Sequence, residues 1–255
     1  MQRIYRKKFN LGIVLGGGGA RGFAHLGVLK ALEEKGFVPD IISGNSAGSI
    51  AGVFIASGKK PDEVHNLIKN HRLLDIAKIH WPRLGLMSLE GLQEDLQKQI
   101  KASDLKELPI PFYAAVSNLN EGKVEYLNEG PLDKIILASA SIPVLFSPVE
   151  MNKMLYADGG IFDNVPVKPL IGKCKKIIAV SISPVQREEK LEGLLQLAGR
   201  AFQLSVNRNI HEIKEQVDLF IEPEALSKYD ILDSEHSDEL FEIGYEYCKN
   251  LTINL

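Results

Sequence analysis

Two glycine-rich turns, each between a short apolar strand and a helix, constrain the fold of this chain more than any other feature. The first apolar run is Phe9–Leu15, and Gly16–Gly19 follow it. The second run, Asp40–Ser43, leads into Gly44-Asn45-Ser46-Ala47-Gly48. A helical pattern follows each turn, over 20–35 and 47–57. Two successive strand–turn–helix units predict a parallel sheet with right-handed crossovers, and therefore an α/β fold.

Strands and helices continue to alternate along the rest of the chain. Further strands are predicted over Phe112–Asn118, Lys123–Leu127, Val149–Met151, Met154–Tyr156, Lys176–Ile182 and Asp218–Ile221. Further helices are predicted over Pro61–Arg72, Ser88–Ala102 and Ser237–Asn250. A stripe of apolar residues from Leu191 to Val217 predicts an amphipathic helix there. Because no repeat or linker interrupts the 255 residues, we expect a single domain.

Composition excludes several classes of protein. The net charge of −3 gives no positive field that would favour a nucleic acid partner. The two cysteines, Cys174 and Cys248, have neither a metal-site nor a redox spacing, so a reducing compartment is expected. No apolar stretch approaches the ~20 residues of a membrane span. The apolar run Leu11–Leu15 is shorter than the ~7–15 residues of an export signal, and we therefore predict a cytoplasmic protein.

The sequence Gly44-Asn45-Ser46-Ala47-Gly48 places a serine between a strand and a helix. A serine in this G-x-S-x-G context lies on a sharp turn above the sheet, and the flanking glycines allow close packing and unusual dihedral angles. The N-terminus of the helix that follows favours developing negative charge. A simple glycine–serine helix cap is the alternative. The strand before it and the helix after it favour Ser46 as a nucleophile.

The first glycine-rich loop, Gly16 to Gly22, allows two interpretations. Consecutive glycines let backbone N–H groups point at one anionic spot, which suits an oxyanion hole. The spacing Gly17-x-Gly19-x-x-Gly22 also fits a dinucleotide site. That site needs an acidic residue at the end of the second strand, whereas Asp40 begins that strand. Proximity to the Ser46 turn favours the oxyanion hole.

A third loop, Asp158-Gly159-Gly160, supplies the candidate general base. Taken alone it is an ordinary turn. A serine nucleophile needs a group that takes its proton, and the two glycines would let the carboxylate approach Ser46. Because the reference pKa of an aspartate is ~3.9, burial would have to raise the pKa of Asp158 for this role.

These three loops together resemble the patatin-like phospholipase family, in its bacterial form. The sequences GGGGARG, GNSAG and DGG occur in the family's order, and the stretch from Ala138 to Pro148 also resembles the segment that precedes its third motif. The matches extend from about residue 11 to 166, and the family's domain would continue to about 183. The resemblance implies a three-layer α/β/α fold with a mainly parallel central sheet. We therefore expect one patatin-like domain over 1–255, with a C-terminal helical extension over about 190–255.

The resemblance also implies roles for individual residues. Ser46 would be the nucleophile and Asp158 the base, without a histidine. The backbone amides of Gly17, Gly18 and Gly19 would bind the oxyanion, and Arg21 would lend positive charge. Gly44, Gly48, Gly159 and Gly160 would support the motifs. Plant patatins carry Asp where this chain has Gly16, and the third motif is DGG rather than DGA. Neither difference removes a catalytic group.

The function implied is hydrolysis of lipid acyl esters, of phospholipase A or lysophospholipase type, through an acyl-enzyme and without metal or cofactor. A thioesterase or an acyltransferase with the same dyad is the first alternative. A non-catalytic scaffold and a dinucleotide-binding protein are the others. The expected partner is a lipid or acyl ester, reached from the cytoplasm, with transient contact at the inner face of a membrane as a further option.

Histidines offer a competing catalytic arrangement. Ser46, Asp158 and either His211 or His236 would satisfy the chain order of a Ser-Asp-His triad. Both histidines fit a solvated helix surface or acidic run better, and His25 fits a packed position behind the glycine loop. His65, His71 and His80 lack the spacing of metal ligands, so we predict no metal site.

The segment 71–87 combines apolar and basic residues around Trp81, the only tryptophan. A core helix with a loop is the favoured interpretation. A mobile lid, extending to about residue 92, or a lipid-facing surface is the alternative.

Overall fold

The structure is a computed structural model that describes residues 8–69, 78–79, 87–186, 193–207, 210–231 and 235–255. Its strands are β1 (Phe9–Leu15), β2 (Ile41–Gly44), β3 (Lys78–Ile79), β4 (Met87–Ser88), β5 (Phe112–Asn118), β6 (Lys123–Leu127), β7 (Val149–Met151), β8 (Met154–Asp158), β9 (Cys174–Val180) and β10 (Leu219–Ile221). Its α-helices are α1 (Phe23–Glu34), α2 (Ala47–Ala56), α3 (Pro61–Ile68), α4 (Glu90–Gln99), α5 (Leu132–Ala140), α6 (Leu194–Val206), α7 (Ile210–Glu215) and α8 (Ser237–Lys249).

A mainly parallel sheet forms the centre of the fold. Its strand order is β10-β9-β1-β2-β5-β8-β7, and β6 also pairs with β5. The five strands from β10 to β5 are mutually parallel, whereas β6, β7 and β8 pair antiparallel to their neighbours. This confirms the α/β class and the mainly parallel sheet. The pair β3–β4 forms a separate two-stranded ladder.

The sheet buries an apolar layer on each face, which gives the three layers. Alternate residues of β1 point to opposite sides, so Ile13 and Leu15 belong to one core and Val14 to the other. Helices α1, α2, α5 and α8 contribute to the larger core. The smaller core includes Leu170 and, from α7, Ile213.

The sheet brings the sequence motifs to one edge. Leu15, the last residue of β1, pairs with Gly44 at the end of β2 and with Val180 at the end of β9. The loops that follow these strands therefore lie side by side at the carboxyl edge, where parallel sheets bind their ligands. Strand β8 runs the opposite way, and its last residue, Asp158, pairs with Val116.

One predicted helix is wrong in its extent. The apolar stripe from Leu191 to Val217 predicted a continuous helix, but α6 ends at Val206 and α7 begins at Ile210. Asn207 explains the end of α6, because its Nδ2 donates to the carbonyls of Gln203 (2.9 Å) and Ser183 (3.1 Å). A side-chain amide that binds backbone carbonyls in this way competes with continued helix.

The strand predicted over Asp218–Ile221 is confirmed as β10, which adds to the central sheet beside β9 within the expected C-terminal extension, about 190–255. Helix α5 was not predicted, although Leu132, Ile135 and Ile136 have helical spacing and are buried. Of the segment 71–87, expected to be a core helix with a loop or alternatively a lid, 71–77 and 80–86 lie outside the described residues.

Candidate active site

Ser46 occupies a strained turn between β2 and α2. Its backbone dihedrals are φ 53° and ψ −126°, a left-handed φ that is uncommon outside glycine. The Ser46 N–H donates to the Ser139 hydroxyl at 3.1 Å, and Ser139 Oγ lies 2.7 Å from Ser49 Oγ. Buried hydroxyls therefore hold the turn from below. Backbone strain of this kind is typical of functional sites, where the surrounding contacts hold the residue in its unfavourable conformation.

The glycines beside Ser46 provide space rather than unusual dihedrals. A Cβ on Gly48 would lie 2.1 Å from the Leu15 carbonyl oxygen, and one on Gly44 would lie 2.7 Å from the Gly48 carbonyl oxygen. Neither glycine has a left-handed φ. The expectation of close packing is therefore confirmed, whereas the unusual dihedral belongs to the serine itself.

Asp158 is a buried carboxylate at the end of β8. Its Oδ1 accepts hydrogen bonds from the Gly160 N–H (2.8 Å) and from Asn45 Nδ2 (3.2 Å). Its Oδ2 is buried and lacks a hydrogen bond of ordinary geometry within the described part of the chain. A Cβ on Gly159 would lie 2.6 Å from the Ala115 carbonyl oxygen, so glycine is needed for this close approach.

Burial raises the pKa of Asp158 from 3.8 to about 6. The Ser46 hydroxyl, the Gly160 N–H and the Asn45 amide act in the opposite direction but offset only part of this effect. The Ser46 hydroxyl is therefore near enough to lower the pKa of the carboxylate. Oδ2 nevertheless has no hydrogen bond of ordinary geometry to a described residue. This shift has the direction that the role of general base requires.

The glycine loop presents two backbone donors rather than three. The Gly17 N–H donates to the Asn164 carbonyl at 3.1 Å, which removes it from the expected set. The N–H groups of Gly18 and Gly19 have no acceptor in the part of the chain described here. Gly19 has φ +59°, and a Cβ there would lie 2.1 Å from the Ile231 carbonyl oxygen.

Arg21 is buried and binds the backbone of the C-terminal segment. Its side chain is only 4% exposed, and its Nε donates to the Tyr229 carbonyl at 2.9 Å, as does its Nη2 at 2.5 Å. The guanidinium therefore fastens the C-terminal segment to the glycine loop. His25 supports the same loop from inside, since its Nε2 lies 2.7 Å from the Gly16 carbonyl oxygen. Burial lowers the pKa of His25 to about 4, so the ring is neutral and donates this hydrogen bond.

The candidate residues line one cavity. Ser46, Asp158 and the glycines at 17, 18 and 19 surround it, together with Ile142, Asn164, Ser183, Gln203, Val206 and Ile231. A second, strongly apolar cavity shares Ser46, Gly19 and Ile142 with the first and extends between Phe23, Ile50, Phe54, Leu92 and Phe146. Ser46 thus lies where the two cavities meet.

The competing interpretations find less support. The Asp40 carboxylate accepts hydrogen bonds from the N–H groups of Asn10 (2.8 Å) and Leu11 (2.9 Å), at the end of β1 opposite the glycine loop. It cannot serve a dinucleotide bound there. The His211 side chain is 88% exposed on α7 and lies 3.7 Å from Glu215, and His236 is exposed before α8. Neither lines the cavity that holds Ser46.

Sequence reasoning gave no role to Asn45, Asn164 or Ser183. Ser183 follows β9, and the rule that sites lie beyond the carboxyl ends of parallel strands could have identified it. Asn45 lies inside the G-x-S-x-G motif, whose pattern specifies only the serine and the glycines.

No group of three or more metal-binding side chains occurs among the described residues. No helix in the described ranges is long and apolar enough to cross a membrane.

Comparisons with known proteins identify relatives of this chain. A sequence model described as patatin-like phospholipase matches residues 13–171, which include all three motifs. An uncharacterized NTE family protein of Mycobacterium bovis is 35% identical over 175 residues, covering 67% of this chain and 48% of the relative. The lysophospholipase NTE1 of Kluyveromyces lactis is 28% identical and that of Saccharomyces cerevisiae 27%; each match covers 93% of this chain, with 19% and 16% of the respective relatives.

Solved structures share the fold at low sequence identity. VipD from Legionella pneumophila matches with a TM-score of 0.54 and 15% identity, over 94% of this chain and 66% of VipD. A complex of full-length SpcU with full-length ExoU, from the type III secretion system of Pseudomonas aeruginosa, gives a TM-score of 0.50 and 15% identity, over 96% of this chain and 53% of that one. The chain spans less than half the length of each of the three sequence relatives described above.

Proposed function

Because this chain belongs to the patatin-like phospholipase family, we propose that it hydrolyses acyl esters of lipids with Ser46 as nucleophile and Asp158 as general base. One observation carries the proposal. One cavity, which opens onto an apolar one, is lined by Ser46, by the buried carboxylate of Asp158 and by Gly18 and Gly19, whose N–H groups have no acceptor among the described residues. This arrangement supports the roles of nucleophile, base and oxyanion donors beside a pocket that suits an acyl chain.

The first half of the reaction forms an acyl-enzyme. Asp158 accepts the proton of the Ser46 hydroxyl while the oxygen attacks the ester carbonyl carbon. The Gly18 and Gly19 N–H groups stabilise the tetrahedral oxyanion, and each such donor is typically worth about 2.7–4 kcal/mol of barrier. When the carbon–oxygen bond of the ester breaks, Asp158 returns the proton to the leaving alcohol.

The second half releases the acid. Water enters the position of the departed alcohol and gives a proton to Asp158 as it attacks the acyl carbon. The same two N–H groups hold the second oxyanion, and Ser46 recovers its proton when the acyl–serine bond breaks. No histidine is required, because burial makes Asp158 basic enough to exchange protons near pH 6.

The two cavities support a substrate with one acyl chain in the apolar chamber and a polar alcohol in the other. Phe23, Phe54 and Phe146 surround the apolar chamber, where an extended hydrocarbon chain would replace water at little cost. A monoacyl phospholipid fits this division, and the Kluyveromyces lactis and Saccharomyces cerevisiae relatives carry the name lysophospholipase. Access from the cytoplasm, with transient contact at a membrane surface, stays a prediction.

Hydrolysis of medium-chain p-nitrophenyl esters and of lysophospholipids tests this proposal. Ser46→Ala should abolish turnover, and Asp158→Asn should reduce it by about 10³-fold or more. Ser43→Ala is the matched control, because Ser43 is a buried serine of β2 whose hydroxyl has no hydrogen bond among the described residues. It should retain wild-type turnover.

Turnover by folded Ser46→Ala would contradict the proposed nucleophile. Products should be identified by mass spectrometry with and without added alcohols, because transfer of the acyl group to an alcohol in preference to water would identify an acyltransferase instead. The same assay with acyl thioesters distinguishes a thioesterase.

A further inference from the structure

Two buried asparagines connect the candidate base to the glycine loop. Asn45 Nδ2 donates one hydrogen bond to Asp158 Oδ1 (3.2 Å) and another to Asn164 Oδ1 (3.1 Å). Asn164 Nδ2 in turn donates to the Gly17 carbonyl (3.4 Å), and the Asn164 carbonyl accepts from the Gly17 N–H (3.1 Å). A continuous chain of polar contacts, which we call the amide bridge, therefore leads from Asp158 through Asn45 and Asn164 to Gly17.

The far end of the amide bridge fixes a peptide group that faces the cavity. The Gly17 carbonyl accepts a second hydrogen bond, from the Ser183 hydroxyl at 2.9 Å. A trans peptide is planar, so the Gly17 carbonyl and the Gly18 N–H point in opposite directions. Holding the carbonyl from behind therefore sets the direction of the Gly18 N–H, which is one of the two proposed oxyanion donors.

Two glycines leave room for the amide bridge. A Cβ on Gly17 would lie 2.5 Å from Asn164 Oδ1 and 2.8 Å from Asn45 Nδ2. A Cβ on Gly160 would lie 2.9 Å from Asp158 Oδ1 and 3.1 Å from Asn45 Nδ2. Neither glycine has a left-handed φ, so close approach to the bridge, rather than backbone conformation, accounts for both.

A carboxamide at position 45 suits this arrangement. Its single nitrogen carries two hydrogens, so it can donate to both oxygens at once, whereas a hydroxyl carries one. It is also neutral, and Asn45 is fully buried, where an unpaired charge would be costly. Donation to Asp158 favours the ionised carboxylate, the form that accepts the serine proton.

We propose that Asn45 and Asn164 are positioning residues: the amide bridge holds the Asp158 carboxylate and the Gly17–Gly18 peptide in one fixed arrangement around Ser46. The base and the oxyanion donors come from loops far apart in the chain, and the contact between Asn164 and Gly17 that links these loops spans 147 residues. The bridge makes them one unit. This inference rests on the proposed function, because it assigns the bridge to that reaction.

Kinetics of three variants test the amide bridge. Asn45→Ala, Asn164→Ala and Ser183→Ala should each lower kcat roughly 10- to 100-fold with little change in KM, because the groups they displace act on the transition state. The Asn45→Ala/Asn164→Ala double variant should lose less activity than the product of the two single losses, since both remove the same bridge. A loss of activity in the double variant equal to the product of the two single losses would overturn the proposal.

A neighbouring serine provides the matched control for Ser183. Ser181 is also buried in the same segment, but its hydroxyl has no hydrogen bond within the described ranges. Ser181→Ala should therefore keep the wild-type kcat, whereas Ser183→Ala should not. Equal kcat values for these two variants would contradict the role given to the Gly17 carbonyl.

The pH profile separates the two ends of the amide bridge. Loss of the Asn45 amide removes a donor from Asp158, so the acid limb of kcat/KM should move upward by roughly one pH unit in Asn45→Ala. Asn45→Thr, which keeps a hydroxyl donor and a similar volume, should move it less. Ser183→Ala should lower the rate without moving the limb. An unmoved limb in Asn45→Ala would overturn the proposal.

An NMR titration, which requires no turnover, distinguishes failure of this inference from failure of the proposed function. The titration of the Asp158 carboxyl carbon, followed by NMR, should have a higher midpoint in Asn45→Ala and Asn45→Thr than in the wild-type protein. If wild-type protein hydrolysed no ester but this midpoint still moved, the proposed function would fail, whereas the contact of the amide bridge with Asp158 would be supported. If the wild-type protein hydrolysed esters but all three forms had the same midpoint, the role given to the amide bridge would be refuted.

Discussion

At the scale of single residues, the site combines groups that would be unfavourable elsewhere. Asp158 is buried, and one of its carboxylate oxygens lacks an ordinary hydrogen bond to any described residue, while Ser46 has a left-handed φ of 53°. Both features cost free energy in the folded state. Both also serve the proposed chemistry, since the first makes the carboxylate basic and the second exposes the hydroxyl to the cavity.

The pKa of Asp158 predicts a dependence of stability on pH. Burial raises this pKa from 3.8 to about 6, so the folded state binds the proton more tightly than the unfolded state. The stabilising effect is complete below pH 4 and is lost as pH rises through 6, a difference of about 3 kcal/mol. Asp158→Asn should therefore be more stable than wild type by roughly 2–3 kcal/mol at pH 8, with no gain at pH 3.5.

Urea denaturation of the two proteins across this range measures the difference directly, and comparison of the pair cancels the titration of other groups. A gain that is the same at pH 3.5 and pH 8 would show that Asp158 titrates normally in the folded protein.

At the scale of elements, sequence patterns predicted most of the sheet. Strands β1, β5, β6 and β7 have the predicted bounds, because apolar runs between turn residues determine them locally. The break between α6 and α7 escaped prediction, because the apolar stripe continues across it and one of the two Asn207 contacts that end α6 is with Ser183, outside the helix. The motifs located Ser46 and Asp158. Which loop amides stay unengaged depends on Asn164, Val180 and Ile231 and could not be predicted locally.

The contact between the Ser46 turn and β1 gives a prediction for Gly48. A Cβ there would lie 2.1 Å from the Leu15 carbonyl oxygen, so Gly48→Ala must separate α2 from β1. We expect a loss of more than about 3 kcal/mol of stability, or no soluble protein. Gly36→Ala is the matched control, because Gly36 has φ +83° with open space around it and should cost only about 1 kcal/mol. Equal costs in thermal denaturation would refute this reading of the turn.

At the scale of the whole molecule, the C-terminal third completes the site. Helix α8 packs on α1 with backbones in contact, since a Cβ on Gly244 would lie 2.2 Å from the Ala24 carbonyl oxygen. The Ala20 N–H donates to the Ile231 carbonyl at 2.8 Å, and Arg21 holds Tyr229. These contacts lie beyond residue 171, where the family match ends. We therefore propose that 1–255 forms one patatin-like domain.

The α1–α8 contact makes this domain proposal testable. Gly244→Ala should lower stability by more than about 2 kcal/mol, because the methyl group must push the two helices apart. Glu242→Ala, at an exposed position of the same helix, should change stability by less than about 0.5 kcal/mol. Both variants should unfold in one cooperative transition. A separate early transition in Gly244→Ala would indicate that the C-terminal third is an independent unit.

The rate at which a fluorophosphonate modifies Ser46 tests the central claim most directly. Peptide mapping by mass spectrometry should locate a single adduct on Ser46, and the rate of its formation should rise with pH through about 6, as Asp158 ionises. In folded Asp158→Asn the rate should fall by about 10²-fold or more and lose this pH dependence. An adduct on another residue, or an unchanged rate in Asp158→Asn, would contradict the account.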